Sequence, residues 1–148
     1  MSDLQQVRHT IQATAQEVFD AWVTPAAIEE WWGPDGFTTV VRELNLVEGG
    51  RFAFDMTAPD GTSCCMTGSY RQIQPPNSLV FEVVDHCNLC LPDGVQPQLN
   101  PSIVTVHIVE RGESSEVVVS QTSLRPTYRP IATVSWSHTL NKLAKHLA

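Results

Sequence analysis

The chain has 148 residues, of which 42% are apolar and 17% charged, a length and composition that suit one folded domain over residues 1–148 and exclude a disordered chain. A net charge of −7 excludes the basic face that nucleic-acid binding normally requires, and no apolar run approaches the length that spans a bilayer. The opening "MSDLQQVRHT" lacks the apolar segment of a signal peptide, so a cytoplasmic location is the default expectation.

The stretch "QQVRHTIQA" puts Val7 and Ile11 on one alternating face with His9 between them, the pattern of a first strand. In "TAQEVFDAWV", Thr14 and Glu17 have capping-box spacing: the hydroxyl can accept from the Glu17 amide while the carboxylate reaches back to the Thr14 amide. A short helix starts there and buries Val18 and Trp22 on one stripe. Thr24 before Pro25 predicts the N-cap and first turn of a second short helix, with Ile28 and Trp31 or Trp32 as its apolar stripe and Gly33-Pro34 as its end. From Phe37 the period changes to two, and four strands follow, punctuated by Gly49-Gly50, Pro59-Asp60-Gly61 and Pro75-Pro76-Asn77. The segment "LCLPDGVQPQLNP" is a longer loop, after which "SIVTVHIVERG" and "SEVVVSQTS" pair around Gly112. The closing "IATVSWSHTLNKLAKHLA" places Trp136, Leu140, Leu143 and Leu147 on one stripe of a long helix with its cations outward. No Asp or Glu follows Glu116, whereas Arg125, Arg129, Lys142 and Lys145 do, and such scattered cations read as a solvated face rather than a phosphate site.

A strand, two short helices, a run of antiparallel strands and one long helix make an α+β architecture in which the long helix covers the apolar face of the sheet. Simple alternation turns Phe52, Phe54 and Met56 inward on one strand, Met66, Gly68 and Tyr70 on the next, and Leu79, Phe81 and Val83 on the third. This set makes either a plain core or the wall of an apolar pocket to which Tyr70 adds one polar group. Gly49-Gly50 and Asp60-Gly61 read as hairpin turns needing positive φ, not as a phosphate loop. His107 sits inside an apolar strand with Thr105 and Val109 on its own face, where it serves as hydrogen-bonded structure or as an acid–base group. No Ser-His-Asp or Cys-His-Asn set assembles from spacing.

The segment "HCNLC" groups His86, Cys87 and Cys90, and a hairpin closing about Pro75-Pro76 sets Cys64 opposite Cys87 and Cys65 opposite His86. Cys64, Cys65, Cys87 and Cys90 could then gather at one end of the sheet as an irregular Zn²⁺ site. Adjacent strand residues point to opposite faces, so Cys64 and Cys65 reach one metal only through a bulge, and four reduced thiols in a cytosolic protein is the favoured expectation.

The successive segments "ATAQEVFDAWVTPAAIEEWWGPDGF", "LNLVEGGRFAFDM", "DGTSCCMTGSYRQIQPPNSLVFE" and "WSHTLNKLAKHL" resemble, in order, those of the activator of heat-shock-protein-ninety ATPase homologue family. The resemblance implies the START-like, or SRPBCC, superfamily and its helix-grip fold, a curved antiparallel sheet wrapped around a long C-terminal helix. It also implies that the Trp-Trp-Gly-Pro segment lies beside the mouth of a cavity between sheet and helix. Neighbours on a helix point about 100° apart, so one tryptophan belongs to the core and the other to the rim, where an indole offers a flat apolar face and a donor. The candidate ligand-contacting set is Trp31, Trp32, Phe54, Met56, Met66, Tyr70, Phe81, His107 and Trp136. Members of the superfamily bind lipids and other apolar molecules, act as enzymes or serve as co-chaperone domains. The leading expectation is therefore binding of a small hydrophobic ligand without an organic cofactor. A protein-interaction domain with a chaperone partner and a stress-response role is the alternative, and an enzyme on lipophilic substrates a third; a monomer or homodimer suits each.

Overall fold

A computed structural model describes residues 5–89 and 91–148. The elements follow the order β1 (Gln5–Ile11), α1 (Ala15–Val23), α2 (Pro25–Trp31), β2 (Thr38–Leu44), β3 (Arg51–Thr57), β4 (Ser63–Gln74), β5 (Ser78–Asp85), β6 (Ser102–Arg111), β7 (Ser114–Gln121) and α3 (Arg129–His146). The seven strands form one antiparallel sheet in the order β1-β7-β6-β5-β4-β3-β2. This is an α+β helix-grip fold: β2 to β7 run as a meander, β1 closes onto β7, and α3 lays Trp136, Leu140 and Leu143 into the core. None of the described helices is long and apolar enough to cross a membrane.

The capping box forms as the spacing predicts, with Thr14 Oγ1 accepting from the Glu17 amide at 3.1 Å and Glu17 Oε1 accepting from the Thr14 amide at 3.0 Å. Helix α1 ends at Thr24, which is held extended by the proline that follows it and serves in turn as the N-cap of α2, without a side-chain capping bond. Helix α2 stops at Trp31, short of the predicted Gly33-Pro34, because Trp32 already has extended backbone and acts as the C-cap. Gly49 and Gly61 have positive φ, as their hairpin turns require.

Inward positions alternate as expected, with Phe52, Phe54, Met56, Tyr70, Leu79, Phe81 and Val83 all buried. The β4–β5 register changes between Thr67 and Gly68 and again between Tyr70 and Gln72, and extra residues of this kind bend a strand and sharpen its twist. The long loop after β5 is pinned by Gln98, whose Nε2 donates to the carbonyls of Asn100 (2.9 Å) and Ser123 (3.1 Å) while its Oε1 accepts from the Arg125 amide (2.8 Å). One expectation about α3 is corrected: Lys142 is not an outward cation. Its Nζ donates to the carbonyls of Gly33 (3.1 Å) and Pro34 (3.4 Å), clasping the segment after α2, and burial pulls its pKa down against the opposing pull of Asp35.

Candidate ligand cavity

Aromatic rings fill most of the space between the sheet and α3. Trp22 meets Trp31 at a centroid distance of 4.7 Å, Trp32 meets Phe54 at 5.1 Å, and Phe52 meets Phe81 at 5.6 Å. What remains inside is a void of about 10 Å³ bounded by Trp22, Trp32, Phe52, Phe54, Tyr70, Leu79 and Phe81, room for one water at most. Burial raises the pKa of Tyr70, so the phenol stays protonated among these rings.

A larger cavity of about 90 Å³ lies toward the end of the sheet. Trp32, Gly33, Pro34 and Phe37 form one wall, Met56 of β3 and Met66 of β4 the floor, and His86, Cys87, Gln121 and the first turns of α3 the rest. The chain reaches this shape because Gly33 has φ +99° and lies close to Met56: an added Cβ would sit 3.1 Å from its Cε. The remaining wall residues from α3 are Ala132, Ser135, Trp136 and Thr139, one face of its first turns, with Tyr128 as its N-cap.

The polar edge of the cavity is a chain of side chains. Trp136 Nε1 donates to Gln121 Oε1 at 2.8 Å, Gln121 Nε2 donates to Ser102 Oγ at 2.9 Å, and Ser102 Oγ lies 2.7 Å from His86 Nε2. Burial pulls the His86 pKa down to about 4, against the weaker opposing pull of Asp85, so the imidazole is neutral at neutral pH. Tyr128 stands edge-on to the His86 ring at 6.3 Å. The Ser102–His86 distance suits a nucleophile and its base. Ser102 is nevertheless only 1% exposed and is not part of the cavity wall, so no substrate carbonyl can reach its oxygen.

The nine residues singled out from the sequence fall into four places. Trp32, Met56, Met66 and Trp136 line the larger cavity. Phe54, Tyr70 and Phe81 lie deeper, around the inner void. Trp31 is fully buried core, its Nε1 donating to the Ala21 carbonyl at 3.0 Å, so of the adjacent tryptophans it is Trp32 that forms cavity wall. His107 is corrected: it is exposed on the outer face, because the inward residues of β6 are Val104, Val106 and Ile108. The sequence reading missed Gln121, Tyr128 and Thr139 as wall residues and noticed His86 only beside the cysteines. They belong to three separate segments, and the signal available was two polar side chains, Gln121 and Thr139, at inward positions of otherwise apolar stripes.

The cysteine expectations are also corrected. Cys64 and Cys87 are joined by a disulfide, with Cα atoms 5.6 Å apart, as the hairpin register allows. Cys65 of β4 is a free thiol on the outer face of the sheet beside Asp55 of β3 and Arg42 of β2; burial and the hydrogen bond to the Asp55 carboxylate raise its pKa. Arg42 holds Asp55 at 2.6 Å and keeps that carboxyl below its usual range. The proposed Zn²⁺ tetrad does not assemble: Cys64 and Cys87 bond to each other, Cys65 points to the opposite face, and Cys90 lies outside the described residues. Among the described residues no group of three or more His, Cys, Asp or Glu is placed to hold a metal ion.

Sheet, grip helix and end cavity together define a START-like, or SRPBCC, protein. Residues 12–148 match the family model described as activator of Hsp90 ATPase homolog 1-like protein, and the chain belongs to that family. A Chromobacterium violaceum protein solved by X-ray crystallography superposes with a TM-score of 0.83 at 18% identity, over 98% of this chain and 96% of that one. An Arthrobacter aurescens protein solved by NMR gives 0.83 at 18% identity, over 99% and 86%. The AHSA1 protein from Silicibacter pomeroyi gives 0.78 at 20% identity, over 97% and 96%. At these identities the likeness is one of fold. A comparison with curated protein sequences found no match.

Proposed function

We propose that this protein binds a compact, largely apolar small molecule in the cavity at the end of its sheet. The observation that carries the reading is the composition of the lining: Trp32, Phe37, Met56, Met66 and Trp136 converge there with His86 and Gln121, a mainly apolar surface with few polar groups. Methionines suit such a wall because their flexible thioethers adapt to the shape of an occupant. The volume sets the size. About 90 Å³ is less than the roughly 150 Å³ of an engineered cavity that takes benzene, so the enclosed part of the ligand is no larger than a small ring. A sterol or a full acyl chain does not match that space, because aromatic side chains already occupy the deeper interior.

The family name suggests a chaperone partner instead. That reading draws on no large apolar patch among the described residues: the exposed apolar side chains Val40, Leu46, Val47, Val84, Leu99, Val109 and Val134 are spread over β2, β5, β6, α3 and two loops, with Leu46 and Val47 the one sequence-adjacent pair. An enzymatic reading lacks a reachable nucleophile–base pair, since Ser102, the hydroxyl beside His86 Nε2, is enclosed.

The test is methyl NMR of the two wall methionines during titration with cyclopentene, a five-membered apolar ring. Saturable shifts at Met56 and Met66 are expected. Shifts that never saturate, or that miss both methyls, would remove the cavity reading.

A further inference from the structure

Trp136, Gln121, Ser102 and His86 are linked in series, and the direction of each link follows from donor and acceptor capacity. An indole N–H only donates, so Gln121 must present Oε1 to Trp136, which leaves its amide nitrogen toward Ser102. Ser102 thereby accepts one bond and has a single proton to give. Among the described residues its one available acceptor is His86 Nε2. The reverse assignment, with Nε2 donating to Ser102, would leave both the Ser102 proton and Nδ1 unmet, two groups instead of one. The series therefore holds the neutral imidazole with its proton on Nδ1. That nitrogen is buried and has no hydrogen-bond partner among the described residues, although His86 belongs to the cavity wall. A buried donor left unmet costs the folded state the desolvation of that group, and such orphans need a partner to explain them.

Resting on the cavity as the ligand site, we propose that the occupant supplies this partner: a compact uncharged molecule whose carbonyl or ether oxygen accepts from His86 Nδ1–H. The absence of charge follows from the walls. None of the described wall residues is Asp, Glu, Lys or Arg, and an ionised ligand would be buried without a counter-charge. His86 is then the polar selector of the site, and the Trp136–Gln121–Ser102 series is what orients it.

NMR of the full chain with ¹⁵N-labelled imidazole rings reads the tautomer directly at pH 7. The proposal requires the His86 proton on Nδ1; a proton on Nε2 overturns it. The same protein is titrated with cyclopentanone and cyclopentene, similar rings with and without an acceptor, and the titrations are repeated on His86→Phe, which keeps a planar ring and loses the donor. Cyclopentanone binding is expected to weaken about tenfold in the variant while cyclopentene changes less than about twofold. If both rings bind the parent protein and the variant weakens neither, or both alike, the cavity stands and the selector role falls. If neither ring binds the parent protein, the cavity reading fails and the selector with it. Cyclopentanecarboxylate binding more tightly than cyclopentanone would overturn the preference for an uncharged ligand. Should His86→Phe not fold, Ser102→Ala removes the proton that holds the tautomer: loss of Nδ1–H population with weaker cyclopentanone binding supports the proposal, and an unchanged tautomer overturns it.

Discussion

The Phe52 ring lies directly over Gly68, its cross-strand partner: a Cβ added to Gly68 would come 2.6 Å from Phe52 Cζ and would also collide with the Glu82 carbonyl oxygen. The missing side chain on β4 is the space in which the ring packs, and through Phe52 that space supports Phe54, Tyr70 and Phe81. Gly68→Ala is expected to destabilise the fold by about 2–4 kcal/mol, since the clash is partly with backbone that cannot rotate away. Urea denaturation reads this as a lower midpoint; an unchanged midpoint would mean that the ring has another place to go.

The two adjacent tryptophans should separate by function while sharing a structural role. Truncating either leaves a large hole, so Trp31→Ala and Trp32→Ala should each cost about 3–5 kcal/mol. Trp31→Phe keeps most of the core volume and should leave cyclopentene binding within about twofold, because Trp31 does not line the larger cavity. Trp32→Leu removes part of the cavity wall and should weaken the same binding about tenfold or more, at roughly 25 cal/mol for each Å² of ligand surface that the shorter side chain leaves uncovered. Equal effects of the two conservative variants in an NMR titration would sink the distinction.

Stability should fall on mild acidification because of His86. Its folded pKa of about 4 lies below the ordinary value of 6.5, with burial as the cause. Above pH 6.5 both folded and unfolded states carry neutral imidazole and the group is silent. As pH falls from 6.5 to about 4 the unfolded chain takes up a proton that the folded chain refuses, so stability declines through that window, by up to about 3 kcal/mol, and levels off below it. The Asp85 carboxylate works against this by favouring the charged ring. Chemical denaturation at a series of pH values should show the slope, and His86→Gln should flatten it between pH 6.5 and 4.5.

The Cys64–Cys87 bond closes a loop with a sequence separation of 23 and should stabilise the fold by about 3 kcal/mol through the unfolded state. The cytoplasmic location expected from the sequence is a reducing one, where such bonds are rare, so oxidised and reduced protein are both worth measuring. A dithiol reductant should lower the urea midpoint of the parent protein and leave a Cys64→Ser, Cys87→Ser double variant unmoved. Cys65→Ser should behave as the parent, since that thiol sits on the opposite face beside Asp55. A parent midpoint indifferent to reductant would contradict the bond's contribution.

Much of the fold was legible in the order of residues because it follows from local rules. Period-two alternation turned Phe52, Phe54, Tyr70 and Phe81 inward, the Thr14–Glu17 pair started α1, and the Pro75-Pro76 turn set the register that brings Cys64 to Cys87. The same alternation contained the correction for His107: with Val104, Val106 and Ile108 inward, an odd-numbered residue of β6 has to face out. Where local rules were silent, the tertiary structure decided. Whether the inward aromatic residues left a pocket or filled it depended on how four tryptophans from α1, α2, its cap and α3 stack on the sheet, and volume is a property of packing rather than of any one segment. The identity of the polar edge was likewise invisible, because His86, Ser102, Gln121 and Trp136 become neighbours only when the segment after β5, β6, β7 and α3 converge at one end of the sheet. Sequence by itself determined the elements and their faces, since backbone periodicity and turn chemistry act over a few residues. The size of the cavity and the hydrogen-bond series that orients His86 were set by packing between distant segments, which exists only once the chain has closed around its grip helix.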